Sequence, residues 1–142
     1  MESEILPIEN EKNERLDRLT DDYWVIDNAP AGVTKRQLED LAGRLKISMR
    51  AMAKLLRVSE RTLSRYDPEK LLKESVSEHI LQIERAVDVG QDVFGDPELF
   101  LRWLRHSCEA LGGKLPIDLI GSITGARLVC DELVRIDYGV PY

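Results

Sequence analysis

The chain has 142 residues, 43% of them apolar and 32% charged, a balance that suits a water-soluble globular protein of one domain or two small lobes. No run approaches the roughly eighteen apolar residues that span a bilayer, and the acidic start lacks the features of a secretory signal, so a cytoplasmic, non-membrane protein is expected. The net charge of −6 is unevenly spread: residues 1–33 hold three basic and nine acidic side chains, residues 34–73 eleven and five, residues 74–142 six and twelve. A basic segment between acidic flanks points to a local anionic partner, and the middle of the chain is where nucleic acid is to be sought.

Residues 1–20 are rich in Glu, Asn and Lys with no sustained helical face. They read either as a flexible leader or as an acidic arm that folds over the basic region or over a partner. Asp22 to Ala31 carries Tyr23, Trp24, Val25 and Ile26, too apolar to be left in water, and is expected to pack on the helices that follow and to end at Pro30. Thr34 with Gln37 three residues on forms a capping box, and Leu38, Leu41, Ala42 and Leu45 make one buried helical face. Ser48 caps a second helix with Met49, Met52, Ala53 and Leu56 on its apolar side. After the turn Arg57-Val58-Ser59, a third short helix is predicted from Glu60 to Tyr66, and Pro68 breaks the backbone hydrogen bonding.

The string AKLLRVSERTLSRY, residues 53–66, resembles a helix-turn-helix of the Xre, phage-repressor-like type. Ala53 is small where two helices cross, and Leu56, Val58 and Leu63 fill the wedge between them. Ser59 caps the recognition helix, whose free N–H groups then face a phosphate. Arg61, Thr62, Ser64 and Arg65 are the candidate groove contacts, arginine being able to grip a guanine edge, while Lys54 and Arg57 suit the phosphate backbone. Arg57 stands where the motif usually has glycine, and a left-handed conformation there costs on the order of 1 kcal/mol. The alternative reading is a helical hairpin that keeps its shape without affinity for DNA.

Glu69 to Phe94 reads as one long helix. Val76, Ile80, Ile83, Val87, Gly90 and Phe94 form a narrow seam of heptad type, which either packs inside the chain against the final domain or pairs two protomers. A homodimer is expected on the second ground that helix-turn-helix proteins commonly reach two half-sites as dimers.

In the last third, Asp96 is an N-cap, Pro97 suits the first helical position and Glu98 complements the helix dipole. Leu99, Phe100, Trp103, Leu104, Cys108 and Leu111 recur at helical spacing, which predicts a helix stopped by Gly112-Gly113. Pro116 opens a short turn, and Thr124 is the expected cap of a final helix with Ala126, Val129, Cys130, Leu133 and Ile136 on one face. Gly139 ends it before the tail Val140-Pro141-Tyr142. Cys108 and Cys130, both read as lying on helix faces, are expected to be reduced core thiols, a disulfide being the alternative. His79 and His106 read as ordinary surface or boundary residues, and neither metal-ligand spacing nor a phosphate-binding glycine loop is present. No catalysis, metal or cofactor is expected.

The ordered set FGD, WL, ALGG, P-x-DL and RIDYGV closely resembles the toxin-binding domain of the Xre/MbcA/ParS antitoxin family over about the last fifty residues. The chain departs from that pattern at Ser107-Cys108, where Pro-Asn is usual, at the apolar Gly121-Ser122-Ile123, and in the tail GVPY. The resemblance implies an all-α protein: an acidic leader over 1–33, a helix-turn-helix lobe over 34–68, a connecting helix over 69–93 and a toxin-binding domain over 94–142. It implies a type II antitoxin that neutralises a RES-domain, NAD⁺-degrading toxin (ADP-ribosylating in related branches) by covering its active site with its C-terminal region. It also implies that the helix-turn-helix binds operator DNA to repress the shared operon, within a higher toxin–antitoxin assembly. The toxin-facing residues it implies are Trp103, Lys114, Arg127, Arg135, Tyr138, Gly139, Val140, Pro141 and Tyr142. Trp103, Leu104 and Leu133 read alternatively as core. Two other functional readings stay open: a free-standing repressor whose C-terminal domain only dimerises, and an interaction module with an inactive helix-turn-helix.

Overall fold

The computed structural model describes residues 21–139, and every regular element within them is helical. The leader over 1–20 and the tail Val140-Pro141-Tyr142 lie outside the described residues. In chain order the helices are α1 (Asp22–Asn28), α2 (Lys35–Leu45), α3 (Met49–Leu56), α4 (Glu60–Ser64), α5 (Glu74–Phe94), α6 (Pro97–Leu104), α7 (Pro116–Leu119) and α8 (Ile123–Asp137). Short 3₁₀ turns occupy Ala29–Ala31 and Glu109–Leu111.

Helices α2 and α3 start where local chemistry dictates. Thr34 Oγ1 accepts the Gln37 N–H at 3.2 Å while Gln37 Oε1 accepts the Thr34 N–H at 2.9 Å, which completes the capping box. Ser48 caps α3 by accepting from the Ala51 N–H at 3.1 Å. The predicted apolar faces are buried: Leu38, Leu41, Ala42 and Leu45 on α2, and Met52, Ala53 and Leu56 on α3.

Helix α5 is the axis of the molecule. It packs chiefly on α8 and also touches α1, α2, α3 and α6. Its buried residues therefore extend well beyond the predicted seam, to Ser77, Leu81, Gln82, Arg85, Ala86 and Val89 as well as Ile80, Ile83 and Val87. The seam is interior to the chain. Wrapping on several sides, not a heptad partner, explains its apolar spacing.

Four boundaries differ from the sequence expectation. The long helix begins at Glu74, because residues 70–72 run extended beside the start of α2, where Lys70 O accepts the Lys35 N–H at 3.0 Å and Val33 O accepts the Leu72 N–H at 2.9 Å. Helix α4 ends at Ser64, leaving Arg65 and Tyr66 in the turn that follows. Helix α6 ends at Leu104, so Cys108 and Leu111 are not on it. Cys108 instead pairs with Lys114 across a tight loop, its N–H bonding Lys114 O at 3.0 Å and its carbonyl accepting the Gly113 N–H at 2.9 Å. Gly112 and Gly113, with φ of 73° and 76°, make that loop's left-handed turn and do not cap a long helix. Finally, Ser122 and not Thr124 caps α8, accepting the Gly125 N–H at 2.9 Å.

Two burial expectations also change. Of the apolar run in α1 only Val25 is buried, while Tyr23, Trp24 and Ile26 face outward. Cys130 is buried on α8 as predicted and Cys108 is half-buried in its loop; both thiols are free.

Gly90 has a packing reason. A Cβ added there would lie 2.0 Å from Cε1 of Phe100, a ring that is itself only 1% exposed. Gly90→Ala should therefore destabilise the fold by about 2 kcal/mol in urea unfolding, overpacking outweighing the better helix propensity of alanine. Adding Phe100→Leu should cost less in that background than alone.

Candidate nucleic-acid interface and partner face

Ala53, Leu56 and Leu63 are buried where α3 meets α4, so small and branched residues set the crossing as the motif requires. Arg57 ends α3 in the left-handed region, at φ 56° and ψ 40°, and the Val58 N–H closes the turn on Ala53 O at 3.0 Å. Lys46 ends α2 in the same way, at φ 53°. Its left-handed cap was not anticipated, since no glycine marks it. Ser59 Oγ accepts the Thr62 N–H at 3.2 Å and caps α4 as expected.

The predicted DNA set falls within residues 54–65, on the end of α3, the turn and α4 and its end. Lys54, Arg57, Ser59, Arg61, Thr62, Ser64 and Arg65 are all exposed. Ser64 spends its proton on Arg61 O, at 2.8 Å, and keeps its oxygen as an acceptor. Lys54, Arg57, Arg61 and Arg65 make no ion pair with any described residue, whereas Arg36, Arg44, Lys46, Arg85, Arg127 and Arg135 each face a carboxylate. A basic face left unneutralised in this way keeps its full charge for an anionic partner.

The predicted partner set is divided. Trp103 is half-buried beside Phe94 and Phe100, with ring centroids 6.0 and 6.4 Å away, which makes it part of an aromatic group at the edge of the core. Leu104 and Leu133 are core. Lys114 is exposed in the tight loop opposite Cys108. Arg127 is exposed but held to Asp22 of α1 at 3.1 Å. Arg135 lies 3.6 Å from Glu132, while Tyr138 and Gly139 are exposed at the end of α8. Sequence reasoning missed Leu128, which is 49% exposed and shares an outward stripe of α8 with Asp131, Arg135 and Tyr138. An apolar residue off the buried face was the signal available.

The described residues hold no group of three His, Cys, Asp or Glu side chains suited to a metal ion, and no helix among them is long and apolar enough to cross a membrane. His106 is exposed and its Nδ1 lies 2.6 Å from Arg102 O. His79, expected at a boundary, is in fact 8% exposed, with Nε2 2.8 Å from Ile120 O, which makes Nε2 the protonated nitrogen. Burial holds the His79 pKa below the ordinary imidazole range; the Ile120 carbonyl opposes this and the Arg57 charge adds to it. Burial likewise raises the Cys130 thiol to about 11 despite the nearby Arg85, so this cysteine stays protonated and unreactive. Glu84 is raised by burial first and by Asp88 second, against Arg44.

These features define a helix-turn-helix whose basic face makes no ion pair with any described residue, packed on a long helix that the last helices cover from another side. Comparison with known proteins agrees. Residues 25–85 match the family model described as the antitoxin Xre-like helix-turn-helix domain, and residues 90–139 match that of the antitoxin Xre/MbcA/ParS C-terminal toxin-binding domain. Between them, the two antitoxin domain models match most of the described chain, the helix-turn-helix segment first and the toxin-binding domain after it. Among its relatives is antitoxin Xre of Yersinia enterocolitica serotype O:8 / biotype 1B (strain NCTC 13174 / 8081), 34% identical over 77 residues that cover 54% of this chain and 48% of that protein. Another is the Prs ADP-ribosylating antitoxin of Sphingobium sp. (strain YBL2), 29% identical over 120 residues, 76% of this chain and 74% of that one. The chain thus aligns with about half the length of the first relative and three quarters of the second.

A histidine whose folded pKa lies below its unfolded value leaves the unfolded state binding more protons near pH 6, so its contribution holds above about pH 6.5 and is lost as the pH falls. Glu84 acts in the opposite sense at lower pH, its raised pKa favouring the fold on acidification. Urea stability should fall from pH 7.5 to 6. In His79→Gln, which keeps a donor for Ile120 O, that slope should flatten.

Proposed function

We propose that the protein is a type II antitoxin that binds a toxin through its C-terminal region and operator DNA through α3 and α4. The observation that carries the DNA half is the exposed, unpaired set Lys54, Arg57, Arg61 and Arg65 around a capped recognition helix. Arg61 and Arg65 read base edges, with Thr62 and Ser64 beside them, and Lys54, Arg57 and the Ser59 turn hold phosphates. The partner half rests on the outward face of α8, where Arg135 and Tyr138 lead towards Gly139, Val140, Pro141 and Tyr142. Arginine and tyrosine anchor protein interfaces well, and an aromatic tail suits the mouth of a nucleotide pocket. Exclusion of NAD⁺ by such a plug needs no chemistry from the antitoxin. The other residues implied to face the toxin lie apart from it: Lys114 in the tight loop, Arg127 tied to Asp22, and Trp103 at the edge of the core.

The toxin proposed is a RES-domain protein that degrades NAD⁺. A second reading, an ADP-ribosylating toxin, is favoured by the name of the Sphingobium relative. Both consume NAD⁺, and they differ in whether ADP-ribose is left on a protein. A homodimer, presenting two recognition helices to two half-sites, completes the proposal.

Co-expression with the product of the adjacent gene tests it. A complex that suppresses NAD⁺ loss is expected, and no complex, with operator binding kept, would leave a free-standing repressor. Mass spectrometry of total protein after toxin release separates NAD⁺ hydrolysis from ADP-ribosylation. Arg61→Ala with Arg65→Ala should abolish operator binding in mobility shifts and leave protection from the toxin intact. Removing residues 138–142 should do the reverse, with growth arrest on toxin expression as the readout.

A further inference from the structure

Beside the recognition helix lies a groove of about 530 Å³. It runs between α4 and the extended segment before α5. Its floor is apolar, made by Val58, Leu63, Leu72 and Val76, and Leu71 on its rim is 54% exposed. Its cations are Arg57, Lys70 and Lys73, with Lys70 also lying over the Tyr66 ring, 5.6 Å from its centroid. No carboxylate lines it, and none of the three cations has an ion pair among the described residues. A second groove, of about 470 Å³ between α3 and α7, differs in this respect, because Asp118 is in its wall. The groove beside α4 is therefore built for a segment that is both acidic and apolar.

The chain contains one. Residues 2–9 read ESEILPIE, with carboxylates at Glu2, Glu4 and Glu9 around Ile5, Leu6 and Ile8. We propose that this segment of the same chain seats in the groove beside α4 and competes there with DNA. Three carboxylates meet three cations, and three branched apolar side chains meet an apolar floor. Reach is sufficient. The end of the 3₁₀ turn after α1 abuts the groove, since a Cβ on Gly32 would lie 3.2 Å from Leu72 O and 3.4 Å from Leu71 Cβ. From there α1 and its 3₁₀ turn carry the chain back about 16 Å to Asp21. The twelve residue steps from Glu9 to Asp21 extend to about 40 Å. Competition follows because Arg57, Ser59 and Thr62 belong both to the groove and to the DNA set. That competition, unlike the seating, rests on the proposed DNA binding.

Two measurements on the full-length protein test the proposal. Carbodiimide treatment, which joins carboxylates to lysines at contact distance, should give intrachain products linking residues 2–9 to Lys70 or Lys73, read by mass spectrometry. Absence of such products would overturn the seating, and so would products found only between two chains, which would put a second copy's segment in the groove. Glu2→Gln with Glu4→Gln and Glu9→Gln should tighten operator binding by about tenfold at low salt, the combined worth of three exposed ion pairs, and by less at high salt. Unchanged affinity would overturn the competition. If neither protein binds operator DNA while the crosslinks form, the groove keeps its occupant and the DNA reading falls.

Discussion

A helix covered on several sides cannot hand its polar groups to water, and α5 resolves that constraint by using them as ties. Ser77 accepts the Val33 N–H at 2.9 Å and donates to Leu72 O at 3.1 Å, so one hydroxyl joins the two ends of the helix-turn-helix segment. His79 reaches Ile120 O between α7 and α8, and Arg85 reaches Asp22 of α1 at 3.0 Å. Three buried polar side chains on one helix thus fasten three different parts of the chain. Each is costly to leave unmade, about 1–3 kcal/mol for a buried group that loses its partner. The Arg85 tie is the most exacting, since its Nε and Nη1 find no hydrogen-bond partner and the Asp22 contact must offset much of the burial.

Charge is arranged by the same logic at the surface. Away from the recognition helix, cations are spent on contacts that hold elements together: Arg44 spans from α2 to Asp88 of α5, Lys46 to Glu98 of α6, and Arg127 from α8 to Asp22. Such exposed or half-exposed pairs contribute little stability each, but they determine where positive potential remains. Among the described residues it remains on α3 and α4, on Lys70 and Lys73 beside them, and on Arg102, Arg105 and Lys114. A net acidic protein can therefore present a basic face, which total charge alone would hide.

The capping residues and apolar faces of α2 and α3 were legible because they are local: Thr34, Gln37, Ser48 and Ser59 act on backbone groups within three positions. The family motifs were legible as an ordered set. What escaped was non-local. The 97–104 helix looked longer because Cys108 and Leu111 fall at helical spacing, yet the backbone pairing of Cys108 with Lys114 claims them for a loop. The start of α5 was hidden for a similar reason, since residues 70–72 are held extended by the chain near Val33 and Lys35. Gly90 read as one position of an apolar seam and is a contact surface for Phe100. The candidate DNA residues were read from pattern and are all exposed within residues 54–65. The candidate partner residues do not share one surface, because a family motif marks the turns and core that shape such a domain as readily as the side chains that touch a partner.

The clasp of Asp22 on Arg85 and Arg127 has a consequence for how the chain is made. Contacts among α2, α3 and α4 are short in sequence, so this segment can form early during synthesis. The clasp is different: its carboxylate waits 105 positions for the second of its two guanidinium partners. Until α8 has left the ribosome, only α1 and the 3₁₀ turn after it can cover the side of α5 that bears Arg85. The helix-turn-helix can therefore form while the last helices are still being made, and the two guanidinium partners of one carboxylate are born at different times.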